Sequence, residues 1–111
     1  MTPAAPINRT VEVAVAGGTL RVERAGAGMP VLLLHGWALD RRAWRPQLDA
    51  LTKGCQLLAL DRRGFGESTA PPDLFAEIDD ILAVQSALGL GPMVLAGMSQ
   101  GGRVALHFAL A

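Results

Sequence analysis

The sequence predicts an α/β fold in which a β-hairpin precedes parallel strands that carry helices on both faces. Alternating apolar and polar residues mark the hairpin near the beginning of the chain. Three short, uninterrupted apolar runs follow, and such runs are typical of strands covered on both faces. Apolar residues at helical spacing separate these runs, so strands and helices alternate along the rest of the chain.

The hairpin is predicted at residues 11–22. Valines at every second position precede a Gly17-Gly18 pair, and Leu20 and Val22 resume the alternation after it. Period-two alternation indicates strands with one buried face, and two glycines between such segments favour a tight turn.

The apolar runs and the helical stretches alternate after the hairpin. Pro46 is compatible with a helix only in its first turn, and Gly89 is a typical residue at a helix C-terminus. The final stretch, which begins near Gln100, is still apolar at Ala111. The predicted strands are 31–34, 57–60 and 93–96, and the predicted helices are 44–51, 73–88 and a third from about residue 100.

Composition and charge exclude several classes of protein. Half of the 111 residues are hydrophobic and 18% are charged, which is typical of a folded domain and not of a disordered chain. Ten basic residues balance ten acidic ones without a run of like charges, so nucleic acid and anionic membranes are not expected as partners. The length allows one domain, 1–111, and not two.

The sequence also predicts a soluble, cytoplasmic protein. The single cysteine, Cys55, rules out an internal disulfide and fits a reducing compartment. The first ten residues lack the basic start and apolar stretch of a secretory signal. No apolar run approaches the roughly 20 residues that a membrane helix needs.

Residues 97–101 carry the strongest functional signal. They read Gly97-Met98-Ser99-Gln100-Gly101 directly after an apolar run, so a strand delivers a serine onto a sharp turn into a helix, the arrangement called a nucleophile elbow. The glycines leave room where side chains would collide with neighbouring backbone. The serine hydroxyl then stands clear, beside an N–H at the helix N-terminus that can hold an oxyanion. A dinucleotide site is not expected, because Gly-x-Gly-x-x-Gly is absent.

Two further stretches are in register with the elbow. Residues 31–37 form an apolar strand that ends in His35-Gly36, where a backbone N–H can supply a second oxyanion donor, and residues 61–68 form a glycine-rich loop after the next apolar strand. With the elbow, in this order and at these spacings, they make the chain resemble the serine-nucleophile branch of the α/β-hydrolase fold family. The resemblance covers the N-terminal portion of that fold, from the hairpin to the helix after the serine. In that family the glycine-rich loop shapes and braces the scaffold.

The resemblance implies a role for each motif residue. Ser99 matches the nucleophile, and the N–H groups of Gln100 and Trp37 match the two halves of the oxyanion hole. His35 and Gly36 match the residues that frame the strand end. The implied function is hydrolysis of a small ester-like substrate (an ester, lactone or thioester) through an acyl-enzyme, with no metal or organic cofactor. A serine rather than an aspartate points away from the dehalogenase and epoxide-hydrolase branches, which use a carboxylate nucleophile.

The residues that would activate such a serine are not found where this fold has them. An acid and then a histidine should follow the serine, yet no carboxylate follows Asp80. The histidine after Ser99, His107, lies about 12 Å further along the same helix and about 80° around it. We therefore expect an inactive N-terminal portion of a longer hydrolase, without the acid, the histidine, the lid and the C-terminal strands. The serine branch stays open, with perhydrolases and carbon–carbon bond hydrolases included.

A second interpretation is a short, non-catalytic protein that keeps the scaffold as a binding or assembly module. The strand at 93–96 would end the sheet, and its unpaired N–H and C=O groups would invite self-association through the open edge. In a third interpretation, a separate chain supplies the acid and the histidine.

Overall fold

The computed structural model describes residues 9–111, which form a five-stranded mixed sheet with flanking helices. The strands are β1 (Arg9–Val15), β2 (Gly18–Gly26), β3 (Met29–Leu34), β4 (Cys55–Leu60) and β5 (Val94–Gly97). The helices are α1 (Arg45–Ala50), α2 (Glu77–Ala87) and α3 (Gln100–Leu110), and a 3-10 helix (Arg41–Trp44) leads into α1. The start of the predicted domain, and most of the stretch predicted to lack a secretory signal, lie outside the described residues.

The sheet has the order β1-β2-β4-β3-β5. β1 and β2 form the predicted antiparallel hairpin, in which Val15 pairs with Gly18 across a turn at Gly17. The φ of Gly17 is 87°, a conformation that favours glycine. β2 is longer than predicted because its second half, up to Gly26, pairs antiparallel with β4. β3 pairs parallel with both β4 and β5, so the predicted α/β fold is confirmed.

Two helices begin differently from the prediction. α2 begins at Glu77, because the Asp73 side chain accepts a hydrogen bond from the N–H of Phe75 (3.0 Å) and favours a turn over a helix there. The first predicted helix, 44–51, is observed as α1, which begins at Arg45 directly after the 3-10 helix, and Pro46 lies in the first turn of α1 as expected. Within residues 9–111, no helix combines the length and the apolar character needed to cross a bilayer.

Helices cover both faces of the sheet, as predicted. On one face, Leu32 of β3 shares a buried cluster with Ile81 of α2 and Val104 of α3. On the other face, Leu33 shares a second cluster with Leu48 of α1. Successive residues of a strand point to opposite faces. β3 is therefore buried from both sides, which explains its uninterrupted apolar run.

β5 lies at one edge of the sheet. Its one neighbour in the described part of the chain is β3, and Val94 at its beginning is exposed. This edge position is the one that the sequence predicts for the strand at 93–96. Because β3, β4 and β5 are parallel, the loops that follow their carboxyl ends meet at the same end of the sheet.

Candidate active site

Ser99 occupies the sharp turn between β5 and α3. Its φ of 54° and ψ of −115° lie outside the helical and extended regions. Ser99 shares a positive φ with one other non-glycine residue in residues 9–111, Ala38. Such a conformation costs an L-residue roughly 1–2 kcal/mol. The serine side chain is exposed and does not cap α3, so its hydroxyl stays free for a ligand.

The glycines around Ser99 let three backbone segments approach closely. A Cβ on Gly101 would collide with the carbonyl oxygen of Leu34 at the end of β3, and a Cβ on Gly97 would collide with the Gly101 carbonyl. Both obstacles are backbone and cannot rotate away. Gly102 differs, because a Cβ there would lie 3.4 Å from the Gly97 carbonyl oxygen. The turn therefore depends on Gly97 and Gly101 more than on Gly102.

The loop after β3 lies against the serine turn. A Cβ on Gly36 would lie 3.5 Å from the Cβ of Ser99. The Met98 N–H donates to the carbonyl of Leu34 at 3.0 Å, which continues the contact between the two strands up to the serine. Beyond Gly36 the chain turns, and the Leu39 N–H donates to the Gly36 carbonyl at 3.3 Å. The structure thus brings the His-Gly strand end and the serine together.

Two backbone N–H groups near Ser99 have no acceptor among residues 9–111. Gln100 is the first residue of α3, where N–H groups lack an intrahelical acceptor, and Trp37 follows Gly36 in the adjoining loop. Free donors of this kind, one of them at a helix N-terminus, stabilise a negatively charged oxygen. The Trp37 ring itself is 71% exposed.

His35 is buried, and both of its ring nitrogens are engaged. Nε2 accepts the N–H of Arg62 at 3.0 Å, and Nδ1 lies 2.7 Å from the carbonyl oxygen of Gly36. Because Nε2 acts as an acceptor, the proton resides on Nδ1 and the imidazole is neutral. Burial lowers the pKa of His35 below its ordinary value. His35 therefore frames the end of β3 and has no free nitrogen to receive a proton from Ser99.

His107 is exposed and lies two turns along α3 from Ser99, as the sequence predicts. It borders a groove of about 280 Å³ beside α3. The groove is lined by Leu74, Gln100, Arg103, Val104 and His107. Sequence reasoning did not find this groove, because Leu74 reaches α3 from the turn before α2 and belongs to no periodic pattern.

A comparison with known families agrees with this geometry. A family model described as the alpha/beta hydrolase fold matches residues 29–111, a stretch that includes the His-Gly strand end, the serine turn and α3. The chain belongs to the α/β-hydrolase fold family. The resemblance to the α/β-hydrolase fold family is thereby confirmed.

Several proteins of the α/β-hydrolase fold are similar to the chain. The AB hydrolase superfamily protein YisY of Bacillus subtilis (strain 168) is 38% identical over 94 residues, which cover 81% of this chain and 35% of YisY. An epoxide hydrolase from an endophytic Streptomyces superposes with a TM-score of 0.83 at 32% identity, over 97% of this chain and 34% of that one. A thermophilic esterase from Thermogutta terrifontis gives 0.82 at 37% identity, over 92% and 40%. The chain spans about a third of the length of these relatives.

In this member of the α/β-hydrolase family, the loop after β4 carries two buried ion pairs. Arg62 and Glu77 form two parallel hydrogen bonds, of 2.7 and 2.8 Å, and Arg63 and Asp80 form two of 2.6 and 2.7 Å. All four side chains are at most 6% exposed. Paired forks of this kind fix both distance and orientation, so the loop is locked onto the first turn of α2.

The acidic partners on α2 are residues that sequence reasoning did not single out. A signal was available, because Glu77 and Asp80 share a helix face with Ile81 and Val84, which are buried. Carboxylates that recur on an apolar helix face are buried only when they are paired. The two consecutive arginines after β4 were the matching signal.

Proposed function

We propose that Ser99 is the nucleophile of a hydrolase that cleaves a small ester-like substrate (an ester, lactone or thioester) through an acyl-enzyme. The observation that carries this proposal is the backbone of Ser99, a non-glycine residue held at a φ of 54° between a strand and a helix. Strain of this kind is kept where the surroundings enforce it, and it clusters at functional sites. Gly97 and Gly101 allow the surrounding backbone to enforce it here.

In the proposed reaction, the Oγ of Ser99 attacks the carbonyl carbon while its proton passes to a base. The carbonyl oxygen becomes an oxyanion, which accepts hydrogen bonds from the N–H groups of Trp37 and Gln100. When this intermediate collapses, the bond to the alcohol or thiol breaks, and the leaving group takes the proton from the base. Water then attacks the acyl-enzyme by the same route and releases the carboxylic acid.

We infer that the base and its orienting acid lie outside residues 9–111. Both ring nitrogens of His35 are hydrogen-bonded, and His107 lies two turns away from Ser99 on the same helix. The chain of 111 residues is therefore expected to be inactive by itself, whereas the protein produced from its complete reading frame is expected to be active. The same protein is expected to need neither a metal nor an organic cofactor.

Epoxide opening is the main competing reaction, because some similar proteins are epoxide hydrolases. Attack on an epoxide by a carboxylate gives an ester, which water can hydrolyse at its carbonyl carbon. Attack by the Ser99 hydroxyl would give an ether, which has no carbonyl carbon for water to attack. A serine nucleophile therefore suits acyl transfer and does not turn over epoxides.

The test uses the protein produced from its complete reading frame. We expect a fluorophosphonate probe to label Ser99, and p-nitrophenyl acetate to be hydrolysed, with both signals lost by at least about 10³-fold in Ser99→Ala. Ser86→Ala, at an exposed serine of α2, is the matched control and should change neither signal. Turnover of styrene oxide in place of the ester, or ester hydrolysis that survives Ser99→Ala, would overturn the proposal.

The alternative of an assembly module makes a different prediction for the chain of 111 residues. We propose that this chain self-associates by pairing β5, whose second edge is open in the described residues and whose Val94 is exposed. Light scattering after size exclusion should show a discrete oligomer, which Leu95→Pro on β5 disperses. A discrete oligomer together with an unlabelled Ser99 in the complete protein would favour the module over the enzyme.

A cytoplasmic location is proposed from cysteine usage. The one cysteine in the sequence, Cys55, is a free thiol at the beginning of β4. Such usage suits a reducing compartment. Cell fractionation with an antibody against the chain would test the location.

A further inference from the structure

Two consecutive residues after β4 hold the two ends of the loop that carries Trp37. The loop runs from Gly36 to Asp40, between the end of β3 and the 3-10 helix. Asp61 and Arg62 reach it from the neighbouring strand, because Leu60 of β4 pairs in parallel register with Leu34 of β3. The loop is therefore held at both ends by the residues that directly follow β4.

Arg62 holds the beginning of the loop. Its N–H donates to Nε2 of His35 at 3.0 Å, and its Nη1 donates to the His35 carbonyl at 2.9 Å. Both bonds are buried. The guanidinium keeps its position through the paired bonds to Glu77.

Asp61 holds the end of the loop. Its Oδ1 accepts the backbone N–H of Arg41 at 2.7 Å, and its Oδ2 accepts from the Arg41 guanidinium at 2.5 Å. The Asp61 side chain is fully buried and that of Arg41 is 12% exposed. Arg41 also donates to Glu67 at 2.8 Å and to Glu23 at 3.3 Å. Burial by itself lowers the pKa of Arg41, but the hydrogen bond to Glu67 and the charge of Asp61 outweigh it, and the pKa is raised.

The loop between these two anchors is strained. Ala38 has a φ of 61°, which an L-residue adopts only when its surroundings require it. Inside the loop, the contact that resists relaxation is the 3.3 Å hydrogen bond from the Leu39 N–H to the Gly36 carbonyl. A long hydrogen bond in an exposed turn is weak, so the conformation depends on the anchors.

We propose that Asp61 and Arg41 form a clamp that sets the position of the Trp37 N–H relative to Ser99. This inference rests on the proposed function, in which that N–H is an oxyanion donor. The two residues are positioning residues, because they touch the loop and not the reacting atoms. Arg41 bonds Asp61 through both its backbone and its side chain, so the clamp fixes the chain direction at residue 41 as well as its place.

The test loosens the clamp without leaving a buried charge unpaired. The double variant Arg41→Met with Asp61→Asn removes both charges and the bond between the two side chains. Asparagine keeps one of the two carboxylate oxygens that accept the N–H groups of Arg41 and Glu67, so the hold on residue 41 is weakened. In the complete protein, we expect kcat per fluorophosphonate-titrated site to fall by about 10- to 100-fold, with KM changed by less than about threefold. An oxyanion contact strengthens in the transition state, so its loss appears in kcat.

Controls separate positioning from a general loss of structure. Arg9→Met alters an exposed arginine at the beginning of β1, at the sheet edge opposite β5, and should leave kcat and KM unchanged. The single variant Arg41→Lys, which keeps the positive charge, should recover part of kcat. Counting only titrated sites removes any contribution from unfolded protein.

Backbone exchange gives a readout that does not depend on catalysis. In the double variant, the amide hydrogens of residues 39 and 41 should exchange at least about tenfold faster, while amides in β4 keep their protection. Unchanged exchange at these two positions in a folded double variant would overturn the clamp. Absence of labelling at Ser99 in the unaltered protein would overturn the proposed function instead, and the exchange result would still decide the clamp.

Discussion

The loop after β4 and the turn after β5 lie at the same end of the sheet but are built on opposite physical terms. After β4, Asp61, Arg62 and Arg63 are buried, and each of their charges meets an opposite charge within hydrogen-bonding distance. After β5, Ser99 is exposed, has a positive φ, and makes no capping hydrogen bond with its side chain. The loop after β4 is held by ion pairs that its own side chains make. The serine turn is held by the backbone of β3 and α3 that packs against its glycines.

This difference separates scaffold from chemistry. The charges after β4 are held in buried, hydrogen-bonded pairs, and such pairs fix distance and orientation. Ser99 has a strained backbone, and its side chain makes no capping hydrogen bond that would stabilise the fold. Its hydroxyl is therefore free to contact a ligand. Substitutions in the pairs that join Arg62 and Arg63 to α2 should therefore act mainly on stability, and substitutions of Ser99 mainly on function.

The largest effect should come from breaking a buried pair after β4. Glu77→Ala leaves the Arg62 guanidinium, which is fully buried, without its opposite charge. We expect the free energy of unfolding to fall by about 3–5 kcal/mol, as measured by urea denaturation. Glu12→Gln breaks the exposed pair with Arg21 and should cost less than about 1 kcal/mol. Equal losses of unfolding free energy in the two variants would mean that the buried pair stabilises the protein no more than the exposed pair does.

The next effect should come from the glycine that joins the serine turn to β3. Gly101→Ala drives a Cβ into the Leu34 carbonyl, and we expect a loss of about 3 kcal/mol in the free energy of unfolding. Gly102→Ala, one residue further along α3, meets no contact shorter than 3.4 Å and gains helix propensity, so it should be neutral or stabilising by up to about 1 kcal/mol. If the two variants have the same free energy of unfolding, the close approach of α3 to β3 does not hold the turn.

The sequence predicted the parts of this fold that leave a local trace. Strands β3 and β4 are buried over most of their length, and such burial shows in the sequence as a continuous apolar run. The edge strand β5 has the same apolar run but is only partly buried in the described residues. The serine turn was visible because steric exclusion requires glycine at fixed positions, 97 and 101, whatever the rest of the chain does. The family assignment followed from these local signals in their order.

Other features could not be predicted because they depend on distant residues. The pairing of Asp61 with Arg41 joins residues 20 positions apart, and their backbones meet only after β3 and β4 have paired. The late start of α2 results from one side chain, Asp73, whose local hydrogen bond overrides a helical pattern. Neither arrangement alters the spacing of apolar residues from which helices and strands are predicted, so neither could be predicted from that spacing.

A smaller effect should follow from His35, at the end of β3, whose ring bonds Arg62 after β4 and the carbonyl of Gly36 beside the serine turn. Burial lowers its pKa in the folded protein below the value of about 6.5 expected for the unfolded chain. The unfolded chain therefore binds the extra proton first, and the free energy of unfolding should decline as the pH falls below about 6.5, by at most about 1.4 kcal/mol per pH unit.

Urea denaturation between pH 7.5 and pH 5 would measure this dependence on His35. His35→Gln keeps an oxygen to accept the Arg62 N–H and cannot titrate, so its pH dependence should be flatter than that of the unaltered chain. A pH dependence that His35→Gln leaves unchanged would show that burial of His35 is not its cause.

The smallest effect has the opposite sign and bears directly on the strain in the serine turn. Ser99→Gly places at a φ of 54° the one residue that adopts this conformation without penalty, and the exposed hydroxyl that it removes makes no capping bond. We expect the free energy of unfolding to rise by about 1 kcal/mol while labelling by the fluorophosphonate probe disappears. Ser86→Gly, in the last turn of α2, should instead lower it by up to about 1 kcal/mol. A loss of stability in Ser99→Gly would mean that the serine conformation is not strained, and the contrast with the paired loop after β4 would no longer hold.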